Sequence, residues 1–215
     1  MTGVRGKFKT SAMKYFRYYL VFSSMLLCSG LFSQEKTIAN LTEAFRFETS
    51  NCALFTAYAD QARKEGFPRI ATFFTAVAKM AEIHAGNFKT VLGKMGATPG
   101  PGPAPGVAVS TQVDLEEAFK SVRVEAGVKY AEYMDQAVTD GAASAVKALR
   151  WAKETHQLCL DKYTQATDAL INGKVGSLPD VYWICPKCGN LYNAKPEETC
   201  GFCGTARKYF IRIND

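Results

Sequence analysis

Two short motifs near the C-terminus constrain this 215-residue chain more than any other feature. They are C-P-K-C-G at Cys185 to Gly189 and C-G-F-C-G at Cys200 to Gly204, with eleven residues between Cys188 and Cys200. Each C-x-x-C turn offers two thiolates, and two such turns at this spacing converge on one tetrahedral ion. Thiolate softness and that geometry leave zinc or iron. A structural zinc is the plain reading, because a module of roughly 35 residues is too small to fold on its own core and needs a staple. Two disulfides are the alternative if the chain is exported. Tyr182, Trp183, Tyr192, Phe202, Tyr209 and Phe210 supply the module's few apolar contacts.

The other end of the chain raises the question of compartment. Arg17 is followed by fifteen mainly apolar residues ending at Phe32, with positive charge before them and small residues at Ser29, Gly30 and Ser33. Residues 1–33 therefore read as a secretory signal peptide cleaved after Ser33, with Met13 a plausible start. The run falls short of the roughly 20 residues that span a membrane, although an uncleaved anchor is the rival reading. Cys28 as a lipid attachment point is weaker, because the bulky Leu27 precedes it. The expected compartment is the periplasm. The leader also explains the charge. Of the formal +6, residues 1–33 contribute five basic side chains and no acid, leaving 21 basic against 20 acidic residues elsewhere. No basic patch remains from which to argue nucleic-acid binding.

Between the two ends, four segments carry helical periodicity. The first is expected from about Asn40, with Glu43 completing a capping box, to Gly66; its inward stripe is Leu41, Phe45, Glu48, Cys52, Phe55, Ala59 and Ala62. The second opens at Pro68, suited to a first helical turn, with the stripe Ile70, Phe74, Val77, Ala81, His84, Phe88 and Val91. The Pro- and Gly-rich residues 98–106 cannot be helix and cross between distant helix ends. Asp114 with Glu117 caps a third helix, with the stripe Leu115, Phe119, Val122, Glu125 or Ala126, Lys129 or Tyr130, and Tyr133. The fourth stripe is Ala145, Leu149, Ala152, His156, Cys159, Tyr163, Ala166 and Leu170. Two helical hairpins joined by one long crossover describe a mainly α protein, a ferritin-like four-helix bundle over residues 34–173, followed by a small four-cysteine metal domain over 179–215.

Each stripe contains one residue foreign to a hydrocarbon core: Glu48, His84, Glu125 and His156. An isolated buried carboxylate costs several kcal/mol, so such groups are paired, protonated or bound to metal. Two carboxylates and two imidazoles facing one another suit iron, manganese or zinc. The plainer reading is a set of hydrogen-bonded core histidines with glutamates reaching water at the stripe edge. Cys159 lies three residues after His156, on the same face, and is either a fifth ligand or a small buried hydrophobe.

A bundle followed by such a module resembles rubrerythrin over about residues 37–213. The resemblance rests on the cysteine knuckles and on Glu48 with Tyr58, E-G-F at Glu65 to Phe67, I-A-x-x-F at Ile70 to Phe74, and His84-Ala85. Tyr130, Arg150-Trp151-Ala152 and Tyr182-Trp183 complete it. It implies peroxide reduction at a two-iron site in the bundle, fed by one rubredoxin-like iron on Cys185, Cys188, Cys200 and Cys203, with an electron donor that the residues do not identify. It also implies a homodimer.

The family pattern asks for Glu on the first helix, Glu-x-x-His on the second, Glu-x-x-Glu on the third and Glu-x-x-His on the fourth. This chain offers Glu48, Ala81-x-x-His84, Val122-x-x-Glu125 and His156-x-x-Cys159. Ala81 and Val122 have no ligand atoms. The expectation is a mononuclear or asymmetric site on Glu48, His84, Glu125 and His156, with Cys159 as fifth ligand or redox partner. A non-catalytic metal-binding relic is the alternative.

Overall fold

A computed structural model describes residues 34–214; the leader expected over residues 1–33 lies outside them. Helix α1 is Glu35–Lys64 and α2 is Pro68–Lys94. After the crossover, α3 (Thr111–Val124) runs through a single π-helical turn, Glu125–Lys129, into α4 (Tyr130–Thr139), and α5 is Ala143–Ile171. The α3–π–α4 rod acts as one bundle helix, so the bundle has the four members expected.

Two starts differ from expectation. α1 begins five residues before Asn40. α3 begins at Thr111 because Ser110 caps it, its Oγ accepting from the Val113 amide. Asp114 is buried, and its carboxylate accepts from the Val109 amide, tying down the chain that enters the helix.

The apolar stripes fill two clusters, one above and one below the polar residues. Phe55, Phe73, Phe74, Leu115, Val122, Cys159 and Tyr163 belong to one; Leu41, Phe88, Tyr130, Leu149 and Ala152 belong to the other. On α1 the buried face is Ala44, Glu48 and Asn51, while Phe45 and Cys52 are only half-buried. The crossover lies along this helix. A Cβ on Gly102 would stand 2.9 Å from the Arg46 carbonyl oxygen, so only glycine permits that approach.

The C-terminal module is a three-stranded antiparallel sheet, with β1 (Val181–Ile184) between β2 (Leu191–Tyr192) and β3 (Ile211–Asn214). Trp183 pairs with Tyr192, and Ile184 with Leu191 and Ile211. The sheet does not rest on a core of its own. Tyr182, Ile184 and Leu191 join the bundle cluster, and the Tyr182 ring lies 5.8 Å from that of Phe73 on α2. Thr37–Asp215 accordingly forms one compact unit in which the sheet is packed onto α2.

Candidate metal centres

The two knuckles are near copies of each other. Gly189 N–H donates to the Cys185 carbonyl and Cys185 N–H to that of Asn190; Gly204 N–H donates to Cys200 and Cys200 N–H to Thr205. Both glycines have positive φ, 79° and 72°. This tight turn aims both thiols of each pair inward. Cys185 Sγ stands 3.4 Å from Cys203 Sγ, and Cys188 Sγ 3.6 Å from Cys200 Sγ. A disulfide requires about 2.05 Å, whereas thiolates about 2.3 Å from one tetrahedral ion stand about 3.8 Å apart. The four sulfurs therefore fit one ion, as expected. Hydrogen bonding from Cys188 lowers the Cys185 thiol to about 4, while that same bond and burial raise Cys188. Of this pair, the first proton leaves readily and the second is held.

In the bundle, three of the expected residues meet: Glu48, His84 and His156, all buried, offer ligand atoms within 4.8 Å of one another. His156 Nε2 lies 2.8 Å from Glu48 Oε1 and His84 Nδ1 lies 3.2 Å from the same oxygen, which also accepts from the Tyr130 hydroxyl at 2.8 Å. Glu48 Oε2 and His156 Nδ1, both buried, have no partner. Burial works to raise the Glu48 carboxyl, but the positive charge that His156 and His84 can carry, and their hydrogen bonds, hold it down to about 2.

His84 also faces the cysteine module. Its Nε2 lies 3.1 Å from the carbonyl oxygen of Cys188 and 2.9 Å from Thr155 Oγ1, whose own proton goes to the Trp151 carbonyl. The Cys188 carbonyl can only accept, so Nε2 carries a proton, and Nδ1 is the ring nitrogen that faces Glu48. Burial, the largest influence, lowers the His84 pKa and so resists a second proton. One turn on, Asn87 Nδ2 donates to the Lys187 carbonyl at 2.9 Å. Gly189 completes the seam, since a Cβ there would fall 2.5 Å from His84 Nε2, whereas a Cβ on Gly204 would meet nothing within 4 Å. Sequence spacing gave no sign of this contact, which joins residues 104 apart.

Two candidates stand outside the three-residue group. Glu125 opens the π-turn, and its Oε2 pairs with Lys129 Nζ at 3.4 Å, one turn further on, while Oε1 has no partner. Burial raises its carboxyl to about 7, against the opposing pull of Lys129. Cys159 sits one turn beyond His156 among the apolar residues of the lower cluster, and burial raises its thiol to about 12, so it behaves as a small hydrophobe.

The family's carboxylate-bridged pair of irons does not fit this bundle. Among the described residues only Glu48, His84 and His156 bring ligand atoms together in the bundle, and Ala81 and Val122, which the family pattern would make carboxylates, are buried without ligand atoms. One ion fits better. Ligand atoms about 2.1 Å from a common ion at 90–109° stand about 3.0–3.4 Å apart, close to the 2.8 and 3.2 Å observed.

Comparison with known proteins agrees with this fold. The family model described as rubrerythrin matches residues 39–159. Nigerythrin of Nitratidesulfovibrio vulgaris is 28% identical over 78% of this chain and 81% of its own length. Rubrerythrin-1 of Clostridium acetobutylicum is 25% identical over 84% of this chain and 95% of its own. The solved structure of fully reduced, all-ferrous nigerythrin superposes with a TM-score of 0.75 at 26% identity, covering 82% of this chain and 86% of that one. A bacterioferritin from Desulfovibrio desulfuricans, at 15% identity and a TM-score of 0.64, shares the fold over 80% of this chain and 98% of its own. Bundle, thiolate knot and matched residues together place this chain in the rubrerythrin family of non-haem iron proteins.

Proposed function

We propose that this protein reduces hydrogen peroxide, taking electrons through an iron that Cys185, Cys188, Cys200 and Cys203 would hold and passing them to a metal that Glu48, His84 and His156 would hold. Iron in four thiolates supplies one electron at a time by cycling between its ferric and ferrous states. The observation that carries the reading is His84, a single imidazole that touches both groups, Nε2 on the Cys188 carbonyl and Nδ1 toward Glu48. From the Cys188 sulfur the route runs through its own Cβ, Cα and carbonyl, across one hydrogen bond, into the ring. Thr155 and Asn87 hold ring and knuckle in register.

Reduction of peroxide to two waters consumes two electrons and two protons. Glu125 is the residue suited to give a proton, because a buried carboxyl raised to about 7 is part-protonated at neutrality. Tyr130 holds its proton on Glu48 Oε1, keeping that oxygen oriented. The electron donor upstream is a small redox carrier able to reach the half-exposed Cys203 side of the knot.

Nigerythrin and rubrerythrin relatives of similar length support peroxide chemistry at the level of the family. Ala81 and Val122 favour a second reading, a metal-binding protein without turnover. Peroxide added to the anaerobically reduced protein separates the two. The thiolate iron should regain its ferric absorption, and His156→Ala should slow that recovery at least tenfold. Recovery at the same rate in His156→Ala, or no recovery in the parent protein, would contradict the relay.

We also propose export to the periplasm, supported by the composition of residues 1–33, and predict that the mature protein begins at Gln34 by N-terminal sequencing. A homodimer is proposed from family resemblance. The relay needs no second subunit, since both groups belong to one chain.

A further inference from the structure

We infer that the bundle holds a single first-row transition-metal ion, iron, on Glu48 Oε1, His84 Nδ1 and His156 Nε2, in place of the two-iron centre of its family. Two imidazoles and one carboxylate on one side of an ion leave positions open on the other, the donor set that suits ferrous iron reacting with small oxygen species. The inference rests on the peroxide reading above for its substrate class and on geometry for the site itself.

Three observations carry it. His84 Nδ1 and His156 Nε2 both face one oxygen, Glu48 Oε1, at 3.2 and 2.8 Å, and the Cys188 carbonyl holds the His84 ring in that orientation. Three buried ligand atoms within 4.8 Å of one another are the arrangement that a single ion needs. Second, the His84 N–H given to a backbone carbonyl is the outer bond by which metal-bound imidazoles are usually oriented and made more basic. Here that carbonyl belongs to a ligand of the other centre. Third, the donors left over for a second ion are only Glu48 Oε2 and His156 Nδ1, buried and without partners. A second ion finds too few ligands beside them. Ala81 and Val122 contribute none, Glu125 Oε2 is engaged by Lys129, and Cys159 faces the apolar cluster.

The electron count follows. With one ferrous iron held by each ligand set, a reduced chain would store the two electrons that one peroxide needs. H2O2 with two electrons and two protons gives two waters, and both irons end ferric.

Elemental analysis and electron paramagnetic resonance of the whole protein, purified without oxygen, test the site apart from turnover. The expected result is two irons per chain, the bundle iron giving the signal of an isolated high-spin ferric ion after oxidation. Glu48→Ala and His156→Ala should each fall to one iron while the thiolate absorption stays unchanged. Ala81→Glu with Val122→Glu should regain a third. Three irons in the parent protein with two spin-coupled, or one iron with the bundle metal-free, would overturn the inference. Either result is independent of whether peroxide oxidises the thiolate iron, which tests the relay itself.

Discussion

A buried carboxylate oxygen that faces three partners while its twin has none is unbalanced for a group meant only to satisfy itself, and Glu48 is arranged in that way. Its neighbours have distinguishable roles. Gly189 and Gly204 share positive φ, so alanine at either strains the turn similarly; only at Gly189 would the new methyl collide with His84. We expect Gly189→Ala to slow oxidation of the thiolate iron by peroxide at least tenfold relative to Gly204→Ala, with the same thiolate spectrum in both. Equal rates in stopped-flow measurements would argue against the His84 seam.

Glu125 gives a pH prediction. Its carboxyl is raised by burial from the ordinary 4.5 to about 7, so its contribution favours folding below pH 4.5 and is lost as the pH rises through 7. Glu125→Gln should therefore match the parent protein near pH 5 and exceed it by about 1–3 kcal/mol near pH 8 in denaturant unfolding. A variant no more stable at pH 8 would mean that the buried carboxylate is compensated by a partner. The identities of Glu48, His84 and His156 were legible in the sequence because helical spacing carries each onto an apolar face. The π-turn that pairs Glu125 with Lys129 was not, and neither was the seam at Cys188, which joins residues 104 apart.

Among the elements, the π-turn does most to shape the site. It inserts one residue into the third bundle helix, placing Glu125 against Lys129 and carrying the Tyr130 hydroxyl onto Glu48. Such turns cluster at functional sites because they re-aim side chains at little cost to the rest of the helix. Periodicity alone left Glu125 or Ala126, and Lys129 or Tyr130, open at this point, which is where the helical register changes. Both Glu125 and Ala126 proved buried. Tyr130→Phe should cost about 1.5–3 kcal/mol, the range for a bond to a charged acceptor, and should leave helix content unchanged. A loss below about 0.5 kcal/mol would show that the other two partners suffice.

Helix starts were less legible than helix faces. Ser110 and Asp114 are both good capping residues, and only the buried bond from Val109 to Asp114 shows which one sits inside the helix.

At the scale of the molecule, the cysteine module is not a bead on a linker. Tyr182, Ile184 and Leu191 share a core with α2, Arg69 donates to the Leu178 carbonyl, and Asn87 and His84 grip the first knuckle. Removal of the thiolate metal should accordingly loosen the knuckles while the β1–α2 packing persists. Limited proteolysis of the metal-free protein is expected to cut between residues 189 and 206 before it cuts β1, and early loss of β1 would contradict the shared core. The order of bundle and module was legible from the cysteine spacing and the crossover; their contact was not, because docking leaves no periodic trace in sequence.

Both centres act as one unit in this account, each supplying one electron to the same substrate molecule. Anaerobic titration of the fully reduced protein with hydrogen peroxide, followed by thiolate-iron absorption and bundle-iron resonance, tests that directly. About one peroxide per chain should bring both signals to their endpoints together. Completion at half a peroxide with a silent bundle, or at three peroxides for every two chains, would contradict it.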